Sequence, residues 1–225
     1  MKNPKVVIID YGMGNLFSLQ RVVSYLGGVG IISSDPEVIA FAQRLILPGV
    51  GAFGDGITNL QKRNLVEPIK NAIRSAKPFL GICLGMQLCM TESYEFGLHK
   101  GLNIIAGSVR KFSEPISQDK FYKVPHVGWN RLLVPKRDKE GCSCEVSTMW
   151  ENTILSKVRS GEWVYFVHSY TVVPEEMAVI MSETEYGGIS FCSAIHRDNI
   201  FGCQFHPEVS GETGLKILKE FLYAM

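Results

Sequence analysis

Three clusters in the 225-residue chain have the residue types and spacing to do chemistry. The first is Gly81-Ile82-Cys83-Leu84-Gly85, set between an apolar run and a helical pattern. A strand–turn–helix of this kind is the context of a nucleophile elbow, with Cys in place of Ser. The glycines permit a sharp turn, and a helix N-terminus beside the sulfur favours the thiolate, the reactive form. The backbone N–H of Leu84 can point at a developing oxyanion. The plain alternative is a buried cysteine between two packing glycines. The second cluster is His206-Pro207-Glu208, after the apolar run 200–205. In an extended segment residues i and i+2 face one side, so Glu208 can lie beside His206. An imidazole there can take the thiol proton, and the carboxylate can fix its tautomer and stabilise its cation. The plain alternative is a capped turn ending a strand. The third cluster is Pro48-Gly49-Val50-Gly51, at the end of an expected parallel strand, the edge where α/β sheets place their sites. Its glycines let the Val50–Gly51 peptide turn an N–H inward as a second oxyanion donor. Val50 is β-branched and resists positive φ, so that orientation is expected to carry strain. Alone, this stretch reads equally as an ordinary strand-to-helix turn.

The elements that must position these clusters follow from periodicity. Residues 5–9 read as a buried strand and 15–26 as a helix, with Leu16, Leu19, Val23 and Leu26 on one stripe before Gly27-Gly28. Ser34-Asp35-Pro36-Glu37 is a helix start, with Pro at the first helical position. Residues 44–47 and 78–82 read as strands, 65–76 as a helix, and Leu84 onward as another. Strands alternating with helices imply a parallel sheet covered on both faces. From 102 to 204 the chain changes to short β-runs at 104–105, 109–112, 124–129, 163–168, 178–181, 189–195 and 200–204. Residues 211–224 close the chain as a helix, with Leu215, Leu218, Phe221 and Leu222 on one face. The expected fold class is α/β: a mostly parallel central sheet with helices on both faces plus an antiparallel β section. No linker is visible, so residues 1–225 are expected to form a single domain. Loops are expected at 113–123 and 136–146.

Composition narrows the classes. Hydrophobic residues make up 46% and charged residues 20%, which excludes a disordered chain. A net charge of +1 gives no electrostatic case for nucleic acid or an anionic membrane. No apolar run approaches the roughly 18 to 20 residues of a membrane span. The four apolar residues Val6-Val7-Ile8-Ile9 are too few for a signal peptide, so a cytoplasmic protein is expected. Cys83, Cys89, Cys142, Cys144, Cys192 and Cys203 are then expected to be reduced. None forms a C-x-x-C pair, so no metal site is expected, and Cys142 and Cys144 read as part of a solvated loop with 136–140. His126 and His168 sit in β-runs and read as satisfied buried or interface histidines, His99 and His196 as exposed ones. Trp129 and Tyr165 read as core or interface.

Cys83 in G-x-C-L-G-x-Q, with His206-Pro207-Glu208 downstream, resembles the class I glutamine amidotransferases. The resemblance implies a Cys-His-Glu triad on an α/β fold, attack on the side-chain amide of L-glutamine, a glutamyl thioester, and ammonia passed to a partner site. It implies contact of Gln87 with the substrate, Ser169 and Tyr170 at its α-carboxylate, and Glu95 near its α-amino group. No cofactor is implied. Residues 10–16, 47–53, 125–130, 165–170 and 199–208 are further similar to the glutaminase subunits of imidazole glycerol phosphate synthase. Such a subunit docks as a heterodimer on a (β/α)₈ cyclase subunit that uses the ammonia in histidine biosynthesis. Asn15, Trp129 and Tyr165 are expected on the face that meets that partner, and the isolated subunit is expected to be a poor glutaminase. Three features depart from the pattern: Val209 where the family has Lys, Met13 where it has Pro, and a longer stretch between Asn130 and Tyr165. They leave open a second reading, a related subunit feeding ammonia to a sugar amidotransferase in surface-polysaccharide synthesis. An α/β cysteine hydrolase or redox-sensing chaperone would need neither Gln87 nor Glu208.

Overall fold

A computed structural model describes residues 3–112, 116–117, 120–121, 123–136 and 149–225. The expected loops at 113–123 and 136–146, with Cys142 and Cys144, fall largely or wholly outside these residues. At the centre is a seven-stranded sheet in the order 180–186, 189–197, 200–203, 79–82, 45–47, 5–9 and 29–33. The last five run parallel, and the first two join them as an antiparallel extension. The sequence of strand Lys5–Ile9 explains why both faces are covered. Val7 and Ile9 enter one apolar cluster with Leu45, Leu47 and Phe79. Val6 and Ile8 enter a second with Ile46, Leu80 and Ile82. Alternate side chains of one strand thus feed two cores, as a doubly covered parallel sheet requires. Helix Leu16–Tyr25 buries Leu19 and Val23, and helix Gly211–Tyr223 buries Leu218, Phe221 and Leu222, all in the second core.

Smaller sheets complete the β section. A mixed four-stranded sheet runs Tyr170–Pro174, Ile105–Lys111, Met90–Ser93 and His99–Lys100, its two central strands parallel and its outer pairs antiparallel. Within the expected loop 113–123, Ile116–Ser117 pairs with Lys120–Phe121. A two-stranded ribbon pairs His126–Arg131 with Trp163–His168. Several elements differ from the sequence reading. The runs at 104–105 and 109–112 belong to one strand, Ile105–Lys111. The run at 178–181 is a 3₁₀ turn, Met177–Val179, followed by strand Ile180–Tyr186. The helix after Cys83 is only Leu84–Leu88, because the chain must turn at once into strand Met90–Ser93. Other elements have no counterpart in that reading. Strand Val29–Ser33 is a half-exposed sheet edge behind Gly27-Gly28. Helix Phe53–Lys62 carries two glycines near its start. Strand Tyr170–Pro174 ends in Pro, which an edge strand accommodates. No helix among the described residues is long and apolar enough to cross a membrane.

Candidate active site

Cys83 sits between strand Phe79–Ile82 and helix Leu84–Leu88 with φ 53° and ψ −110°. Positive φ at a non-glycine residue stores strain of about 1–3 kcal/mol and persists only where the surroundings impose it. The imposed crowding is visible at the flanking glycines. A Cβ on Gly81 would lie 2.8 Å from the Gly85 carbonyl oxygen, and one on Gly85 would fall on the Leu47 carbonyl. The elbow is therefore wedged against the neighbouring strand, and only glycine fits on either side of the cysteine.

His206 follows the parallel strand Ile200–Cys203, which pairs directly with the Cys83 strand. Adjacent parallel strands end at the same edge of the sheet, which brings the imidazole to the sulfur. His206 Nδ1 lies 2.9 Å from Glu208 Oε1, and both side chains are buried. The other ring nitrogen, Nε2, is buried with no hydrogen bond of ordinary geometry. Burial is the largest influence on this imidazole and opposes its cation. The Cys83 sulfur and the Glu208 carboxylate together outweigh burial and push it up to about 10. The Cys83 thiol donates toward the Val167 carbonyl at 3.8 Å. Cys89, by contrast, is buried and pushed up to about 12. Burial, with Glu183 second, also raises Cys192, which lines a separate cavity of about 310 Å³.

A cavity of about 280 Å³ opens in front of Cys83, lined by Val50, Gly51, Leu84, Gln87, Glu95, Pro125 and residues 167–170. It therefore gathers the residues that the sequence assigned to substrate and oxyanion. Glu95 is buried, and its carboxylate accepts the Phe53 N–H at 2.6 Å at the start of helix Phe53–Lys62. Burial raises the Glu95 pKa against this hydrogen bond. The Gln87 amide donates to the Tyr170 carbonyl at 3.0 Å and to Gln204 Oε1 at 3.1 Å. Gln204, fully buried, donates in turn toward Cys83 Sγ at 3.6 Å. Sequence reading passed over Gln204, although its position two residues before His206 places it on the same side of an extended segment.

The oxyanion donors are not aimed as expected. Leu84 N–H donates to the Gly49 carbonyl at 3.3 Å, so in this arrangement that carbonyl occupies it and it is not free to meet an oxyanion. The positive φ of the loop falls on Gly51, at 124°, and not on Val50, so the β-branched residue carries no such strain here. Beneath the loop, Tyr11 is fully buried, packs against Gly49, and leaves its hydroxyl without a hydrogen-bond partner.

His126 and His168 are buried side by side, with Nδ1 of the first 3.0 Å from Nε2 of the second. His168 Nδ1 lies 3.0 Å from the Tyr170 carbonyl, and the Asn130 amide 3.4 Å from His126 Nε2. Burial pushes His126 down to about 4; burial first, then His126, pushes His168 down to about 3. His99 and His196 are half-buried rather than exposed: His99 packs beside Gly54 and Phe53, and His196 stacks on Phe201 at 4.6 Å. Trp129 is 53% exposed and meets Tyr165 edge-on. Among the described residues, no group of three or more His, Cys, Asp or Glu is gathered as metal ligands would be.

Residues 7–225 match the family described as glutamine amidotransferase class-I. The chain is 45% identical to imidazole glycerol phosphate synthase subunit HisH of Geobacter sulfurreducens, over 96% of this chain and 97% of that one. It is 47% identical to the subunit HisH of Syntrophotalea carbinolica, over 96% and 98%. Among solved structures, it resembles PurLQS from Thermotoga maritima with a TM-score of 0.68 at 19% identity, covering 99% of each chain. The glutaminase domain of Trypanosoma brucei CTPS follows the same fold, with a TM-score of 0.64 at 14% identity over 99% and 93%. With a full-length family match and relatives this similar, the chain belongs to the class-I glutamine amidotransferases, in the branch of the imidazole glycerol phosphate synthase subunits HisH.

Proposed function

We propose that the chain, as a single amidotransferase domain, hydrolyses glutamine to glutamate and hands the ammonia to a cyclase subunit of (β/α)₈ fold. The cyclase would use it to make imidazole glycerol phosphate in the cytoplasmic synthesis of histidine. The observation that carries the reading is geometric: His206, its Nδ1 held 2.9 Å from the buried Glu208 carboxylate, follows the strand paired with the one that ends at Cys83. In the proposed cycle the Cys83 proton passes to His206 Nε2 and the sulfur attacks the side-chain amide carbon of glutamine. A C–S bond forms, and the carbonyl oxygen takes the negative charge. Collapse of that oxyanion breaks the C–N bond, and His206 gives its proton to the departing nitrogen, releasing ammonia. Water, losing a proton to His206, then cleaves the thioester and frees glutamate and the thiol. Glu208 holds the imidazole's tautomer throughout. Gln87, Glu95, Ser169 and Tyr170 are assigned to the substrate.

The oxyanion is assigned to the N–H groups of Leu84 and of the Val50–Gly51 peptide. With Leu84 N–H engaged by the Gly49 carbonyl, this loop must rearrange before both donors face the cavity. That supports a subunit that is nearly idle until its partner binds. Full-length likeness to subunits HisH supports the cyclase over a sugar amidotransferase as the acceptor. The test is glutamine-dependent ammonia release by the chain with and without a cyclase subunit. It should be stimulated by the partner and abolished by iodoacetamide; release that persists after Cys83 is alkylated would overturn the reading.

A further inference from the structure

We propose that Gln204 is a further catalytic residue, whose side-chain amide donates to the Cys83 sulfur and stabilises it as the attacking thiolate; this rests on the glutaminase reading. Gln204 is fully buried beneath the elbow, and a buried amide is costly unless both of its ends are satisfied. Here both are: Oε1 accepts from Gln87 at 3.1 Å, and Nε2 faces Cys83 Sγ at 3.6 Å.

The direction of these hydrogen bonds is fixed by the chain that feeds them. The Tyr170 carbonyl can only accept, so the group of Gln87 that meets it must be the NH₂. The second N–H of that NH₂ then requires the oxygen of Gln204, which turns the Gln204 nitrogen toward the sulfur. The same carbonyl faces His168 Nδ1, which must therefore be protonated and leaves Nε2 as an acceptor. His126 Nδ1 donates to it, and His126 Nε2 accepts from Asn130. One assignment satisfies all these contacts, and it ends with an N–H aimed at the nucleophile.

The chemistry follows. As a thiol, Cys83 donates toward the Val167 carbonyl. Once its proton has moved to His206 Nε2, the sulfur can only accept, and a hydrogen bond to a charged acceptor is the stronger kind. An amide cannot give up its proton to the thiolate, so it stabilises the charge without neutralising the nucleophile. Gln204 would thus act on the sulfur, while His206 moves the proton.

The test uses the full chain with Gln204→Met, close in size but without a donor, and Gln204→Glu. The readout is the pH midpoint of Cys83 alkylation by iodoacetamide, followed on the Cys83 peptide. For Gln204→Met the midpoint should rise by about one pH unit, the size of one hydrogen bond to an ion. Gln204→Glu should move it further, because a carboxylate replaces the donor. kcat for glutamine should fall about tenfold or more with KM little changed. A folded Gln204→Met variant with an unshifted midpoint overturns the proposal. Should the variants fail to fold, the unaltered chain serves. Its Gln204 side-chain amide resonance should shift with the titration of Cys83 and stop doing so in Cys83→Ala; a resonance indifferent to Cys83 also overturns the proposal. Alkylation does not involve glutamine. A chain that shows these shifts but releases no ammonia even with a cyclase subunit present would overturn the glutaminase reading and leave the sulfur contact standing.

Discussion

Removing the Cys83 sulfur should end glutamine hydrolysis, since no thioester can form without it, and Cys83→Ala checks this in a steady-state ammonia assay. His206→Ala should be nearly as damaging. Glu208→Gln should be milder, because it keeps a hydrogen-bonding oxygen but loses the charge that favours the imidazolium. Ammonia supplied from outside should still support the partner reaction in all three. The histidine pair makes a separate prediction about stability. His126 is neutral when folded, pushed down to about 4, while in the unfolded chain it titrates near the ordinary 6.5. Below pH 6.5 the unfolded state therefore binds more protons, and stability falls as pH falls toward 4. The loss for His126 is on the order of 2 kcal/mol at pH 5 by linkage. His206 has the opposite sign: its contribution is present below 6.5 and lost as pH rises through about 10. It therefore adds nothing to the acid slope. Urea denaturation between pH 7 and 5 should show the fall, and His126→Gln, which cannot titrate, should make it shallower, leaving the part that His168 contributes. Equal slopes in the two proteins would exclude the assignment.

At the scale of elements, the elbow and the Pro48–Gly51 loop share one constraint, which is backbone packed on backbone. Gly85→Ala would drive a methyl into the Leu47 carbonyl. It should cost about 3 kcal/mol or more, or prevent folding, as read from the urea midpoint. The loop makes a kinetic prediction. With Leu84 N–H on the Gly49 carbonyl, partner binding should raise the glutaminase rate by about 10²- to 10³-fold, the usual worth of an oxyanion donor. An isolated subunit already at full rate would contradict this. The elbow was legible in sequence because strand, glycines and cysteine are contiguous. His206 and Glu208 were legible as an acid–base pair two residues apart after a strand, although a 3₁₀ turn, Pro207–Val209, and not the expected extended segment brings them together. The direction of Leu84 N–H was not, because it depends on a carbonyl 35 positions earlier in the chain, at Gly49. Helix Phe53–Lys62 was hidden by Gly54 and Gly56, residues that oppose helix formation locally. Gly56 is there because Leu84 and Leu88 pack where a side chain would be. Gln204 gave no chemical signal, since an amide alone in an apolar run reads as a strand residue.

At the scale of the whole molecule, the exposed β-ribbon is the surface expected to meet a partner. Trp129 and Tyr165 lie on the exposed ribbon whose Trp163–His168 strand also carries Val167, over the Cys83 sulfur. Val127 and Val209 are exposed too, at 55% and 45%. Trp129→Ala should leave the melting temperature nearly unchanged, because half the ring is already in solvent. It should weaken binding to a cyclase subunit by about 2 kcal/mol, roughly thirtyfold, in a titration of the two chains. Unchanged affinity would place the interface elsewhere. Asn15 belongs in a different class, because its side chain caps helix Leu16–Tyr25 through Ser18 N–H at 3.4 Å. Asn15→Ala should cost about 1 kcal/mol of folding stability whatever it does to docking.

The orphaned hydroxyl of Tyr11 bears on how this protein would respond to selection. A buried hydroxyl without a partner is a liability of about 1–3 kcal/mol, and Tyr11→Phe deletes it with hardly any change of shape. A laboratory evolution experiment rewarding heat resistance alone should therefore find phenylalanine at this position early. An experiment rewarding ammonia transfer should keep tyrosine if the Gly49 loop, on moving, offers that hydroxyl an acceptor. The two lineages, grown from one ancestor, would disagree at a residue that touches neither substrate nor partner.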